Sequence, residues 1–311
     1  MTQLESPPVT SPDESSAPRR MNAHERFARL TETRRRWRGG HQTTGRFLDA
    51  LGAVIVIVAV LAAIIGPLIA PDVYTSHIMD ARLPPSAEHW FGTDDQGRDI
   101  FWRVLVGART TLFAAGAIVV LYSIIGVMVA VGAVLSPKWL GDLIMRGVDV
   151  MQAFPALIFA LLIAALMGPS LWSSIVALAA TGWVITARLL AGIMRETMHE
   201  PYVEAARTLG VHTPALMTRH VLPNALPALW VKWAGDMGMT ILLIGAMSFI
   251  GAGAQPPSAE WGAMVLSAKS YITTAWWAAF FPGLAIAVTS MGFALVGDAF
   301  HHRQVARMRG H

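Results

Sequence analysis

The chain of 311 residues contains no cysteine, only three lysines and four tyrosines, and charged residues make up 14% of it. The missing cysteines exclude disulfides, thiolate metal sites and cysteine nucleophiles. The lysines exclude a phosphate-binding loop, which needs Gly-Lys before Ser or Thr so that backbone amides and an ammonium hold the phosphates. Lys138, Lys232 and Lys269 follow Pro137, Val231 and Ala268, so ATP hydrolysis by that mechanism is ruled out. His-Glu-x-x-His and Gly-x-Ser-x-Gly are absent too, and an intramembrane enzyme has little support. The histidines His301, His302 and His311 stand in a tail, where such residues ordinarily bind nothing specific, so neither a metal nor a cofactor is expected.

What the chain has instead is apolar surface. It is 54% hydrophobic, with a mean hydropathy of +0.49, more than a soluble fold of this size carries. Six apolar stretches approach the roughly 20 residues needed to cross a bilayer as helix. They run from about Ala50 to Ala70, Leu112 to Leu135, Val148 to Met167, Leu171 to Leu190, Leu229 to Ile250 and Trp277 to Val296. The third and fourth are separated by Gly168-Pro169-Ser170, which predicts a tight helical hairpin. The expectation is an all-α integral membrane protein, with lipid around it.

The formal net charge is +4, yet the basic residues are spread over loops between spans, and no basic groove with interleaved aromatics suggests nucleic acid. Their distribution orients the chain. Arg82, Arg98, Arg103, Arg109 and Lys269 fall on one side and Lys232 inside a span, while every other Lys and Arg falls on the opposite side. The positive-inside rule then puts both termini, and the segment 191–227, in the cytoplasm. Residues 1–46, rich in Ser and Pro and then in Arg, read as a disordered basic cytoplasmic tail rather than a cleaved signal. The membrane-spanning body covers 47–300, with a first external loop over 71–110, and 301–311 form a short cytoplasmic tail.

Within 191–227 lies a polar island in an apolar sequence, Pro201-Tyr-Val-Glu-Ala-Ala-Arg-Thr-Leu-Gly210 followed by His220-Val-Leu-Pro223. Pro201 suits a first helical position, Glu204 suits the positive end of the helix dipole, and Gly210 suits a left-handed cap. Thr213 offers a second N-cap, and Pro223 predicts that the second helix stops or kinks. Two helices this short need a docking surface, because nucleation makes each unstable alone.

Glu204-Ala205-Ala206, Gly210 and Leu222-Pro223 at this spacing resemble the EAA loop of the membrane subunits of ABC importers. Glu-Ala-Ala-Arg-Thr-Leu-Gly with His-Val-Leu-Pro-Asn-Ala-Leu-Pro is similar to the branch that handles peptides and nickel. The resemblance implies a type I permease fold of the bacterial inner membrane with six spans. It also implies a cytoplasmic coupling helix seated on an ATPase. The implied partners are a homologous permease completing a heterodimer, two ATP-binding subunits and an extracytoplasmic binding protein. The implied cargo is a di- or oligopeptide, with nickel or a metal chelate as the alternative, since Asp236-Met-Gly238 and Ala259-Glu-Trp-Gly262 also resemble nickel-type members.

Two external signatures extend the resemblance. In Trp90-Phe-Gly-Thr-Asp-Asp-Gln-Gly-Arg-Asp-Ile100, Asp94 is expected to cap and to pair with Arg98 rather than to join Asp95 and Asp99 in a cation site. Ile100, Phe101, Val104 and Leu105 share a helical face, which predicts a helix along the outer surface. In Ser248 to Met264, a short helix is expected to begin near Ser258, with glycines permitting close backbone approach. Trp276 and Trp277 fit an aromatic belt.

Lys232 and Asp236 are the ionisable pair inside a span, four residues apart and so on one helical face. Each costs about 2.5–3.5 kcal/mol to insert, which pairing offsets. One reading places Asp236 on a translocation path; the other, favoured, has Lys232 snorkelling to the headgroups with Asp236 as its structural partner. A third class, an ion-coupled secondary transporter, would use the same two residues as its ion site but leaves the 201–223 loop unexplained.

Overall fold

The computed structural model describes residues 47–308, with side chains through His301. The expectations for residues 1–46 and for the tail histidines His302 and His311 lie outside what is described. The described backbone is helical and forms no sheet, with one isolated bridge pairing Thr93 and Asp99.

Helix α1 spans Phe47–Ile69. A loop with one short 3-10 turn, Ile78–Asp80, leads to α2 (Ile100–Leu135). Then come α3 (Lys138–Ala153), α4 (Ala156–Met167), α5 (Leu171–Met198) and α6 (Pro201–Thr208). Helix α7 (Thr213–Leu216) passes through a π-helical turn, Met217–Val221, into α8 (Leu222–Ile250). Short α9 (Trp261–Ala268) and long α10 (Trp277–Met308) complete the body. Among the described residues, five helices are long and apolar enough to cross a membrane, and α3 with α4 makes a sixth crossing if the bent pair is one span.

The core sits where α2, α5 and α8 meet. Ala114, Ala115 and Ala177 are fully buried there beside Ile118, Ile175 and Ile244. Small residues let the backbones approach, which is how membrane helices gain packing energy when lipid is as apolar as their own side chains. A second cluster, built on Leu190, Met194, Met217 and Val221, fixes the far ends of α5 and α8 next to α6.

The expectations for these helices need correction at four points. The predicted surface helix at Ile100 is continuous with the second span, because no proline interrupts the 36 residues of α2. The third span is broken: α3 and α4 meet at 86°, at Phe154 and Pro155, since proline removes a ladder donor and drives the residue before it out of the helical region. The fifth span begins sixteen residues before Leu229, at Thr213, and Pro223 does not stop it. The wider π turn just ahead of Pro223 makes room for a ring that would otherwise meet the carbonyl one turn back. Thr213 itself forms no side-chain cap.

On the side opposite α6, the loop 71–99 is tied to the segment between α8 and α10. Buried Arg103 donates to the Val73 carbonyl (2.7 Å) and to the carbonyls of Pro257 and Ser258 (both 3.2 Å). Asp94 takes the backbone amides of Gln96 and Arg98 on one oxygen and the Arg98 Nε on the other, 2.8 Å away. The expected Asp94–Arg98 pairing is therefore present, while Asp99 caps α2 and meets His89 at 2.8 Å. Among the described residues no group of three or more His, Asp or Glu could hold a metal. Tyr271 Oη donates to Asp95 (3.3 Å), and burial with that carboxylate pushes the phenol up from its ordinary pKa. Phe91 stacks on Phe281 at 4.0 Å. Trp277 is buried and donates to the Thr93 carbonyl (3.2 Å), so of the two expected belt residues only Trp276 is exposed.

Helix α9 starts at Trp261 rather than near Ser258, because the cap is Glu260. Its two carboxylate oxygens accept the amides of Gly262 (2.9 Å) and Ala263 (2.8 Å), and the residue is fully buried. Burial pushes this carboxyl up, against the pull of its backbone and hydroxyl donors. Gly262 lies so close to Gly245 that a Cβ on it would come within 2.7 Å of backbone, and this clamps α9 against α8. Replacing Glu260 by Ala orphans two buried amides, at about 1–3 kcal/mol each. Glu260→Ala is therefore expected to lower the thermal midpoint of the purified protein well below that of Glu260→Gln, as read in a melting assay.

Candidate functional site

The polar island folds into a compact exposed knob. Glu200 ends the turn after α5 and Pro201 opens α6 at its first position, as its missing N–H and fixed φ favour. Glu204 lies in the first turn, where the dipole favours a carboxylate, and Arg207 in the last. The helix ends in a paired cap: the Gly210 amide bonds the Arg207 carbonyl (3.0 Å) and the Val211 amide the Ala206 carbonyl (3.2 Å). Gly210 holds φ at +86°, and a Cβ there would meet no neighbour. Glycine is needed here for its backbone conformation alone.

One residue roots the knob. Val203 is fully buried, whereas Glu204, Ala205 and Gly210 are exposed, Tyr202 is about half exposed and Leu209 is 85% exposed. The other half of the predicted motif supports it from below. Met217 and Val221 are buried on either side of the π turn, Leu222 is half-buried, and Pro223 faces outward. The Tyr202 and His220 rings meet edge-on at 6.3 Å, and Asn224 donates to Thr197 Oγ1 of α5 at 3.4 Å. The structure thus brings Glu204, Ala205, Ala206, Gly210, Leu222 and Pro223 onto one end of the molecule. Small side chains at 205 and 206 leave a flat face between Tyr202 and Leu209.

The intramembrane pair lies elsewhere, on α8. Lys232 Nζ donates to Asp236 Oδ2, and so does the hydroxyl of Tyr122 from α2. The Lys232 ammonium sits 5.3 Å from the centre of the Tyr122 ring, close enough for a cation–π contribution. The pairing matches the sequence expectation, but the snorkelling does not: the Lys232 side chain is only 14% exposed and points at its partner. Tyr122 was not singled out from the sequence. One tyrosine in an apolar run carries no period that marks its partner, which lies 114 positions away. Beside it, Trp233 Nε1 donates to Ser123 Oγ (2.7 Å), a second bond between the same two helices.

Removing one member of a poorly hydrated pair strands the other, at about 3–5 kcal/mol, while removing both is far milder. Asp236→Asn and Lys232→Met are each expected to lower the melting temperature more than the double substitution does. A double-mutant cycle on the purified protein reads this difference.

Comparison with known proteins agrees with this arrangement. Residues 122–310 match the family described as binding-protein-dependent transport system inner membrane component. The chain is 40% identical, over 82% of its length and 86% of the relative's, to a probable D,D-dipeptide transport system permease protein of Escherichia coli (strain K12). It is 34% identical, over 84% of its length and 86% of the relative's, to the oligopeptide transport system permease protein of Bacillus subtilis (strain 168). Among solved structures, a methionine ABC transporter in inward-facing conformations shares the fold, with a TM-score of 0.54 and 18% identity over 64% of this chain and 94% of that one. The described chain is an all-α, multi-pass body of the type I importer permease kind, and the protein belongs to the family of inner membrane components of binding-protein-dependent transport systems.

Proposed function

We propose that this chain is a permease subunit of an ATP-driven importer that moves di- and oligopeptides across the bacterial inner membrane by alternating access. The peptide cargo is supported by relatives named as dipeptide and oligopeptide permeases. Coupling is carried by α6: a two-turn helix, rooted by buried Val203 and ended sharply at Gly210, that presents an exposed face among the described residues. Such a knob suits a cleft on a separate subunit. In this reading two ATP-binding subunits grip the knobs of this chain and of a homologous permease, and a binding protein delivers peptide at the opposite side, over the loop 71–99.

The orientation follows the charge distribution, with both termini and α6 in the cytoplasm. Closure of the ATPases moves α6 together with the end of α5 and the start of α8, since Val203, Met217 and Val221 are buried in the contacts around them. Glu204, Ala205, Ala206 and Gly210 make the seat, and Leu222 and Pro223 carry the movement into α8. Lys232 and Asp236 serve as a neutralised pair along the same helix, and this reading gives them no role as a coupling-ion site.

A β-branched residue at Gly210 must adopt a left-handed conformation, at about 1–2 kcal/mol. Gly210→Val is expected to cut peptide-stimulated ATP hydrolysis by the complete importer several-fold while the permease still inserts, and Gly210→Asn, which tolerates positive φ, is expected to retain most of it. Equal activity of wild type and Gly210→Val would remove α6 from the coupling path.

A further inference from the structure

Helices α1 and α2 touch backbone to backbone near the end of the bundle opposite α6: a Cβ on Gly66 would come within 2.9 Å of the Leu105 carbonyl oxygen. Beside that contact, and largely on its α6 side, a groove of about 530 Å³ opens between the two helices. Val60, Ile64 and Leu68 of α1 line it with Leu112 and Phe113 of α2. All but Leu112 are exposed, Phe113 by 67%, so the groove faces the surroundings of the bundle and not its core.

Arg109, itself exposed, lines the same groove. Its side chain also lines a second depression of about 360 Å³, shared with Asp72, Tyr74 and Thr110 at the start of the loop 71–99. Among the described residues Arg109 makes no ion pair, with Asp72 or with any other carboxylate. The Asp72 carboxylate accepts the Thr75 hydroxyl and the Tyr74 amide (2.9 Å), and these donors hold its pKa below the ordinary value, so it stays charged.

An apolar trough, one unpaired cation and then one anion follow the order of a zwitterionic phospholipid: tail, phosphate, ammonium. The level fits as well. Pro67 and Leu68, in the last turn of the 23-residue α1, each line one of the two depressions, so Arg109 reaches the rim where hydrocarbon gives way to headgroups. An arginine there lays its stem on apolar surface and keeps its charge among phosphates. A free anion would account for Arg109 but not for the trough, and an apolar helix of a partner would leave Arg109 and Asp72 unmatched.

We propose that the groove between α1 and α2 is a site for one phosphatidylethanolamine molecule of the leaflet opposite α6. An acyl chain lies along Val60, Ile64, Leu112 and Phe113, the phosphate meets Arg109, and the ammonium faces Asp72. The lipid bridges α1, α2 and the start of the loop 71–99. Basic pockets between spanning helices are a recurrent way of holding lipid headgroups.

The test uses the complete importer, purified in mild detergent, stripped of lipid and titrated with dioleoyl phosphatidylethanolamine or phosphatidylglycerol, with bound lipid read by native mass spectrometry. Arg109→Ala is expected to bind the ethanolamine lipid roughly fivefold more weakly than wild type, the size of one basic side chain's attraction to a lipid surface. Arg146→Ala, which removes an exposed cation from α3, is expected to bind as wild type does. Asp72→Asn is expected to erase a several-fold preference for the ethanolamine lipid over the glycerol lipid. A p-benzoylphenylalanine in place of exposed Phe113 is expected to capture lipid on illumination. Equal binding by wild type and Arg109→Ala overturns the site. Equal binding of the two lipids by wild type overturns the ammonium contact and with it the choice of occupant. Capture of the homologous permease from position 113 overturns the lipid reading and gives the groove to a protein.

Discussion

In hydrocarbon, every backbone N–H and C=O must find a partner inside the protein, and this structure is built on that requirement. Helices meet it along their length, so the body is a bundle of long helices. The departures from regular helix carry the information. One is the break at Phe154 and Pro155, which borders a cavity; another is the π turn at Met217–Val221, which lets a proline-containing helix run on from the exposed knob into the bundle. A chain that simply needed to sit in a membrane would have use for neither.

The two ends of the molecule solve different problems. Opposite α6, Arg103, Asp94, Glu260 and Trp277 satisfy carbonyls and amides of loops far apart in sequence and hold them as one cap. At the other end only Val203 is buried in α6, and the rest of that helix is left for contact. Between them, Lys232 and Asp236 neutralise each other, with the Tyr122 hydroxyl on the same carboxylate. A cap, an exposed knob and a polar knot between them are the parts that the proposed alternating-access reading uses, in which the movement enters at α6.

Much of this was legible in the sequence, wherever the deciding physics is local. The spans follow from hydropathy, the hairpin at Gly168 to Ser170 from its turn residues, and α6 from Pro201 and Gly210. The Lys232–Asp236 pair follows from its helical spacing of four, and the Asp94–Arg98 pair from the turn and capping chemistry around Asp94. The errors share a cause as well. Pro155 was absorbed into an apolar run and Pro223 was read as a stop or kink, yet the first breaks its span and the second is carried through a π turn. A proline's effect depends on whether neighbouring turns can widen, which is a property of packing. Ser258 lost its expected place to Glu260, because the carboxylate can accept two amides at once.

The sequence by itself determined the membrane bundle, the position and form of the exposed helix and the local ion pairs, because hydropathy, capping and helical spacing act within a few residues. Only the tertiary structure decided which distant groups meet: Tyr122 on Asp236, Trp277 on Thr93, Arg103 on Val73 and Pro257. Those partners are joined by helix packing and not by chain proximity, so no pattern along the sequence announces them. The cavity has the same origin, since it is the space left where α2, α5 and α8 pack against a helix that turns away.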